Sequence, residues 1–217
     1  MNKFSMISLS AAAMLAAACS GTVQETETAQ IAETALAQVE IAPAELVLLA
    51  EGETQTVKYR KDGVDEEYIV TGIADNKVQW QSLIDECHGQ SEQGYFAPVL
   101  SWNQCGDAED EWSTGKNEIT EREGTLWPLQ VGNVANYSYT STSSAGTQSD
   151  NKRECQVDSL VEVSAGGTPY DTFKVICTDK SRTRTSYYAP AINRSVIWIN
   201  HHRKKATTEV SELLSVE

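Results

Sequence analysis

The chain has little that would support catalysis or cofactor chemistry. Its 217 residues include three His, three Phe and three Met. They contain no GxSxG, HExxH, P-loop or GxGxxG pattern. His201 and His202 sit together in a basic cluster, and His88 adjoins Cys87. No His stands in zinc-ligand spacing or beside a free nucleophile. Basic charge is scarce as well, with 17 Lys+Arg against 31 Asp+Glu and a net charge of −14. That balance argues against nucleic acid as a partner and against charge-driven docking on anionic lipid. No cofactor and no metal site are expected. The acid run Asp107-Ala108-Glu109-Asp110-Glu111 lacks the spacing and the sharp-turn Gly of a calcium loop. No acid pair is singled out by an apolar setting, yet two carboxylates suffice for a glycosidase, so a carboxylate-based hydrolase stands as an alternative.

The N-terminus holds the most informative residue. Met1-Asn2-Lys3 precedes an apolar, small-residue run over 4–18 that ends in Ala16-Ala17-Ala18-Cys19. A positive start, a short apolar stretch and small residues before a cleavage point make a secretory signal peptide. The run, about 15 residues, is short of the ~20 that a spanning helix needs. A Cys directly after the small residues resembles the lipobox of bacterial lipoproteins. In that family, the thiol receives a diacylglyceryl group, cleavage falls just before the Cys, and the new amine is acylated with a fatty acid such as palmitate. The resemblance implies Cys19 as the lipid attachment site. It differs from the usual lipobox in holding Ala16 where Leu is preferred; Leu15 is one place early. Ser20 follows the Cys, and in the same family a residue other than Asp there implies the outer membrane, facing the periplasm or the cell surface. Loss of 1–18 removes Lys3 and no acid, which takes the mature chain to −15.

Residues 19–42 read as a lipidated tether, rich in Thr, Glu, Gln and Ala. Ile31, Ala35 and Val39 recur every four residues, which allows a weak amphipathic helix in an otherwise flexible spacer. Pro43 and Gly52 bracket a short helix or a buried strand. From Glu53 the apolar period becomes two. A two-residue turn at Asp62-Gly63 places Lys58 opposite Glu67, Arg60 opposite Asp65 and Val57 opposite Tyr68. Charges of opposite sign then meet on one face and apolar groups on the other, which a slipped register would forbid. A turn at 74–76 leads to a strand over 77–82 with Trp80 opposite Val70. Residues 83–124 look less regular, with a strand over 95–102 that Pro98 would confine to an edge. These make a first β half, 43–124.

The second β half, 125–217, belongs to the same domain. It has a strand from Val134 with Ala135, Tyr137 and Tyr139 on one face, then a Ser/Thr/Gly-rich loop over 141–151. A long hairpin follows, with a three-residue loop at 165–167. It sets Cys155 opposite Cys177, Val157 opposite Val175 and Ser159 opposite Phe173. Four cysteines other than Cys19 allow three connectivities. The hairpin favours Cys155–Cys177, which leaves Cys87–Cys105, and export to an oxidising compartment makes both disulfides expected. Further strands are expected over 183–189, 192–200 and 209–216. His201-His202-Arg203-Lys204-Lys205 joins the last two. It is the one basic cluster of an acidic chain and a candidate partner contact, or simply a charged hairpin tip.

The segments Leu126-Trp127-Pro128-Leu129, Ala165-Gly166-Gly167-Thr168 with Phe173-Lys174-Val175, and Tyr187-Tyr188-Ala189-Pro190 resemble exported bacterial β-domain families of unknown function. Those families carry an AGTF-like hairpin turn followed by a WYSP-like strand. The resemblance covers 125–217 and implies a curved antiparallel sheet with no established chemistry. The extra Gly and Pro169-Tyr170 depart from the usual turn. Together these readings give a mainly β protein: an antiparallel meander forming a curved sheet, small β-sandwich or half-barrel. It would act as a non-enzymatic binding or envelope-structural module, with a protein, small-molecule or lipid partner. The alternative binding role is an inhibitor of a basic envelope enzyme such as lysozyme, which the net charge favours.

Overall fold

The computed structural model describes residues 31–35 and 42–217. The signal peptide, Cys19 and most of the tether lie outside the described residues. Thirteen strands follow one another: β1 (Thr34–Ala35), β2 (Thr54–Lys61), β3 (Val64–Ile73), β4 (Lys77–Ser82), β5 (His88–Glu92), β6 (Ser101–Asn103), β7 (Gly115–Gly124), β8 (Val134–Ser143), β9 (Gln148–Ala165), β10 (Thr168–Asp179), β11 (Arg182–Ala189), β12 (Arg194–His202) and β13 (Thr207–Val216). Among the described residues no helix is long and apolar enough to cross a membrane.

The strands are antiparallel, and the sheet closes. Its order from β9 is β10-β11-β12-β13-β2-β3-β4-β5-β6-β7-β8, and β8 pairs back onto β9. The result is a twelve-stranded barrel rather than an open sheet, sandwich or half-barrel. Closure depends on the stretch expected to be a loop. Ser141↔Ser149, Tyr139↔Asn151 and Ala135↔Cys155 are rungs of the β8–β9 ladder, and only 144–147 form the turn. Ser141 and Asn151 face the same side there, and Ser141 Oγ accepts from Asn151 at 2.9 Å while donating to Asn117 of β7 at 2.6 Å. A polar sequence thus pairs as strand because its side chains satisfy one another across three strands. Barrel closure removes every unpaired edge along that seam.

The first meander forms in the expected register. Lys58↔Glu67, Arg60↔Asp65, Val57↔Tyr68 and Val70↔Trp80 are all direct pairs. Asp62 and Gly63 both have positive φ, at 48° and 85°, as a two-residue type I′ turn requires. Two strands of the irregular middle escaped the sequence reading: β5 and β7. Gly89 and Gly115 interrupt their apolar pattern because tryptophans lie where a Cβ would be. A Cβ on Gly89 would stand 2.6 Å from Trp80, and one on Gly115 would stand 2.5 Å from Trp102.

The expected strand over 95–102 is real only at its end, Ser101–Asn103. Residues 93–100 instead form a loop that turns into the barrel. Phe96 is 4% exposed, and its ring lies 6.1 Å from Tyr188 and 5.8 Å from Trp127. Its carbonyl faces Arg153 and Cys155. A barrel of about eight strands can be filled by its own side chains, but a wider one needs further material. Here the loop supplies it, around a core of Leu126, Leu129, Cys155, Val157, Phe173, Val175 and Tyr188.

Residues 43–52 form neither the short helix nor a strand; one bridge, Ala44↔Leu129, fastens them beside the barrel. Residues 31–35 are not helical either. Thr34 and Ala35 pair with Glu162 and Val161 of β9, beyond the point where β8 has left that strand. Glu33 accepts a 2.8 Å bond from Lys174 Nζ and another from Tyr187 Oη. Burial alone would raise the Glu33 carboxyl, but these two partners outweigh it and hold it below the usual range.

Candidate functional site

Each cysteine sulfur of the barrel is committed. Cys155–Cys177 joins β9 to β10, with both residues buried, and Cys87–Cys105 joins the start of β5 to the end of β6. Cys87 is therefore no reactive partner for His88. His88 Nδ1 lies 2.8 Å from the Glu86 carbonyl and Nε2 lies 3.1 Å from Asn103 Nδ2, which makes this ring a pin between β5 and β6. Disulfides of this kind belong to an oxidising, exported setting.

Register and burial give the inward face. Tyr59, Val70, Ala135, Tyr139, Arg153, Cys155, Cys177 and Asp179 lie on it. Of the aromatics on the alternating strands, Tyr59 is 5% exposed and stacks on Trp198 at 4.7 Å. Trp80 Nε1 donates to Ser91 Oγ at 3.1 Å. These rings fill the interior together with Phe96.

The interior also holds charge that the sequence reading did not single out. Arg153 and Asp179 are buried at 7% and 9% exposure and face each other across β9 and β10. Asp179 Oδ2 lies 3.3 Å from Arg153 Nη2 and 3.4 Å from Arg182 Nε. Its Oδ1 accepts from Ser181 N at 3.0 Å, Ser181 Oγ at 2.9 Å and Arg182 N at 3.0 Å. Burial opposes ionisation of Asp179, but the Arg182 charge, the Ser181 bonds and the Arg153 charge hold its carboxyl below the usual range. Arg184 stands next along β11, held by Asn200 Oδ1 at 2.7 Å and lying over the Trp198 ring. Burial, and then the like charges of Arg182 and Arg153, push its guanidinium down to about 9. It remains charged at neutral pH. Period-two counting could have flagged Arg153, which shares a face with Cys155 and Val157, but nothing in the sequence named Asp179 as its partner.

A groove of about 1000 Å³ runs beside this cluster. Its lining includes Glu121, Glu123, Asp150, Lys152 and Glu154, which the registers Glu123↔Asn136↔Glu154 and Ser138↔Lys152 set on the outward face. It is an open trough on the outside of the wall, lined by several carboxylates. The acid run at 107–111 has structural roles: Asp110 caps a short 3₁₀ turn, and Glu111 accepts from Ser143 Oγ and Thr147 Oγ1 at 3.2 and 2.8 Å. Among the described residues no three His, Cys, Asp or Glu come together as a metal site. The carboxyl groups that are clearly perturbed, Glu33, Asp179 and Glu209, all move downward. A glycosidase acid needs the opposite shift.

His201 and His202 close β12, and Arg203, Lys204 and Lys205 form the turn into β13. His202 Nε2 lies 3.5 Å from Glu209, which Lys61 also approaches at 3.5 Å. Burial works against the Glu209 charge, but Lys61 and the contact with His202 outweigh it and lower its pKa. Arg203, Lys204 and Lys205 are exposed.

The fold and these sites define a closed, disulfide-linked antiparallel barrel plugged by its own loop. No family model matches the chain, and no curated protein is found to match it. Among solved structures it is similar to the hypothetical lipoprotein YmcC from Escherichia coli K12, at 10% identity and a TM-score of 0.44, over 75% of this chain and 84% of that one. A likeness of that degree carries no argument about function or site residues.

Proposed function

We propose that the chain is an exported lipoprotein, held through Cys19 in the outer membrane, whose barrel serves as a non-enzymatic binding or envelope-structural module. The cysteine pairing carries this reading. Four of five cysteines are bonded to one another within the barrel fold, one pair buried and one at the surface, which leaves the Cys19 thiol, directly after Ala16-Ala17-Ala18, for lipid. Disulfide-bonded barrels are products of an oxidising compartment. The plugged interior argues for recognition on the outside, because Phe96 fills the space that a ligand inside would need. The buried polar groups serve one another and offer no nucleophile with an adjacent base.

The test is mass spectrometry of the mature N-terminal peptide and fractionation of Cys19→Ser. A diacylglyceryl-modified, acylated Cys19 in outer-membrane fractions is expected, with release of a folded domain on substitution. An unmodified peptide, or membrane retention of Cys19→Ser, refutes the anchor. The second reading, an inhibitor of a basic enzyme such as lysozyme, is favoured by the outward carboxylates Glu121, Glu123 and Glu154. It requires salt-sensitive binding that substitution of those residues abolishes.

A further inference from the structure

The turns at one end of the barrel sort by charge. Alternation of the antiparallel strands brings together there the turns and loops at 62–63, 83–87, 104–114, 144–147, 180–181 and 203–206. The order of the strands arranges them around the ring as 144–147, 180–181, 203–206, 62–63, 83–87 and 104–114. The first of these is uncharged. The next two carry Lys180, Arg203, Lys204 and Lys205 and no acid, whereas the last three carry seven Asp or Glu and no base. One side of this end is thus basic and the opposite side acidic. Each side is held as a unit. Arg203 N donates to the Ser181 carbonyl at 2.9 Å, which joins the two basic turns. The Cys87–Cys105 disulfide and a 2.7 Å bond from Gln104 Nε2 to Glu86 join the two larger acidic loops. Among the described residues none of these charged side chains makes an ion pair. The same end exposes apolar groups: Val64, beside the 62–63 turn, is 62% exposed, and Leu83 and Ile84 are 48% and 59% exposed.

We infer that this end docks a second copy of the chain, end to end, about a two-fold axis that passes by the 144–147 and 62–63 turns. Such an axis sets the 203–206 turn of each copy against the 83–87 loop of the other, and the 180–181 turn against the 104–114 loop. Both basic turns then meet acidic loops, and the uncharged turn meets itself. Asp62 comes to the axis as well, but its Oδ1 already accepts from Val210 N at 3.0 Å within its own chain. Val64 stands by the axis and Leu83 and Ile84 in the loop next to it, so pairing also covers exposed apolar surface. The charges set the register and the apolar groups add affinity. An isologous contact uses each end once, so assembly closes at two copies. A partner of one charge, an anionic bilayer included, would attract one side of this end and repel the other. The inference does not depend on the anchored reading, because both sides belong to the barrel.

The full chain in neutral detergent should sediment as a dimer at low salt and dissociate as salt rises. Two variants reverse one side each, K180E/R203E/K204E/K205E and D85K/E86K/D107K/E109K. Each should self-associate about tenfold more weakly or worse. The melting temperature of the first should stay unchanged, because its four side chains are exposed. An equimolar mixture of the two should pair about tenfold more tightly than either alone, because reversed turns then meet reversed loops. A misfolded variant could not be rescued in this way. In a parent sample that is half isotope-labelled, zero-length cross-linking should join Lys204 or Lys205 of one copy to Asp85 or Glu86 of the other. A parent that is monomeric at about 100 µM overturns the inference, whether or not it sediments with phosphatidylglycerol vesicles. A dimer that neither variant weakens, a mixture that does not pair, or cross-links confined to single copies also overturns it. Absence of lipid on Cys19 would refute the anchor and leave these measurements readable.

Discussion

Asp179→Asn is the sharpest probe of the barrel interior. The substitution keeps Oδ1 and its three bonds to Ser181 and Arg182, but it sets an amide NH₂ where Oδ2 now faces Arg153 and Arg182. Removing one partner of a buried ion pair costs about 3–5 kcal/mol, because the other charge is left uncompensated. Arg153 retains the Ala97 carbonyl at 3.0 Å, and the Arg182 side chain is 31% exposed, so water relieves part of the loss. We expect about 3 kcal/mol, the lower end of that range. For a domain of this size that lowers the melting temperature by about 6–12 °C. The effect has a pH signature. The folded Asp179 carboxyl is depressed, so its contribution is complete above the unfolded value, near pH 4, and disappears as pH falls through the lower folded value. Urea unfolding with disulfides intact should therefore show the full gap between parent and variant at pH 7 and a shrinking gap below about pH 4. Glu33 and Glu209 titrate in the same window in both proteins, so the difference isolates Asp179. A variant within about 0.5 kcal/mol of the parent at pH 7 refutes the reasoning, and so does a gap of equal size at pH 3.

Three further outcomes follow from the covalent and steric constraints. Cys155→Ala with Cys177→Ala opens a loop of sequence separation 22, a loss of about 3.4 kcal/mol from chain entropy in urea unfolding. Under limited reductant, the partly exposed Cys87–Cys105 should open before the buried pair; alkylation at Cys155 first would contradict the burial. Gly89→Ala would bring its Cβ to 2.2 Å from the Ser101 carbonyl, which backbone alone can relieve, so a loss of about 1–3 kcal/mol with a shift in Trp80 fluorescence is expected. An unchanged melt and spectrum would show that β5 and β6 are not in contact there.

The legible parts of the chain were those where one residue type had one reason to be where it is. Asp62-Gly63 supplies a backbone need, and the Lys58–Glu67 and Arg60–Asp65 pairs fix the register around it. The middle was opaque because its strands satisfy different demands. Gly89 and Gly115 look like breaks but are spaces for Trp80 and Trp102. Phe96 looks like a strand residue but fills the barrel, a requirement that arises only once twelve strands have closed. Ser141 and Asn151 read as loop because Asn151 donates to Ser141, and the acceptor that Ser141 needs in turn, Asn117, is 24 residues away on another strand. The candidate site shares that difficulty. The basic turn was visible as a run of charge, whereas the Arg153–Asp179 pair depends on a register between two long strands.

The β9–β10 hairpin shows how such a register can be right at one end and wrong at the other. Its turn has two residues, Gly166 and Gly167, not three, so Ala165 faces Thr168 and Phe173 faces Leu160 rather than Ser159. A bulge between Lys174 and Val175 then adds a residue on β9, and Val157↔Val175 and Cys155↔Cys177 fall where a three-residue loop would have put them. The two differences cancel at the disulfide. Between turn and bulge they do not, and that stretch has its own packing. Val161, Val163 and Ala165 join Tyr187, Val196 and Ile197 in one apolar cluster, and Gly166 N donates to Glu212 of β13 at 2.6 Å. A bulge bends its strand and increases the twist. Here it lets the far half of the hairpin leave the barrel wall and fold back over β11–β13. The edge of β9 that this movement uncovers is the one β1 occupies at Glu162 and Val161. The bulge, the returning arm and the docked N-terminal segment are thus one structural device. It explains why apolar residues continue along β9 and β10 past the point where the barrel needs them.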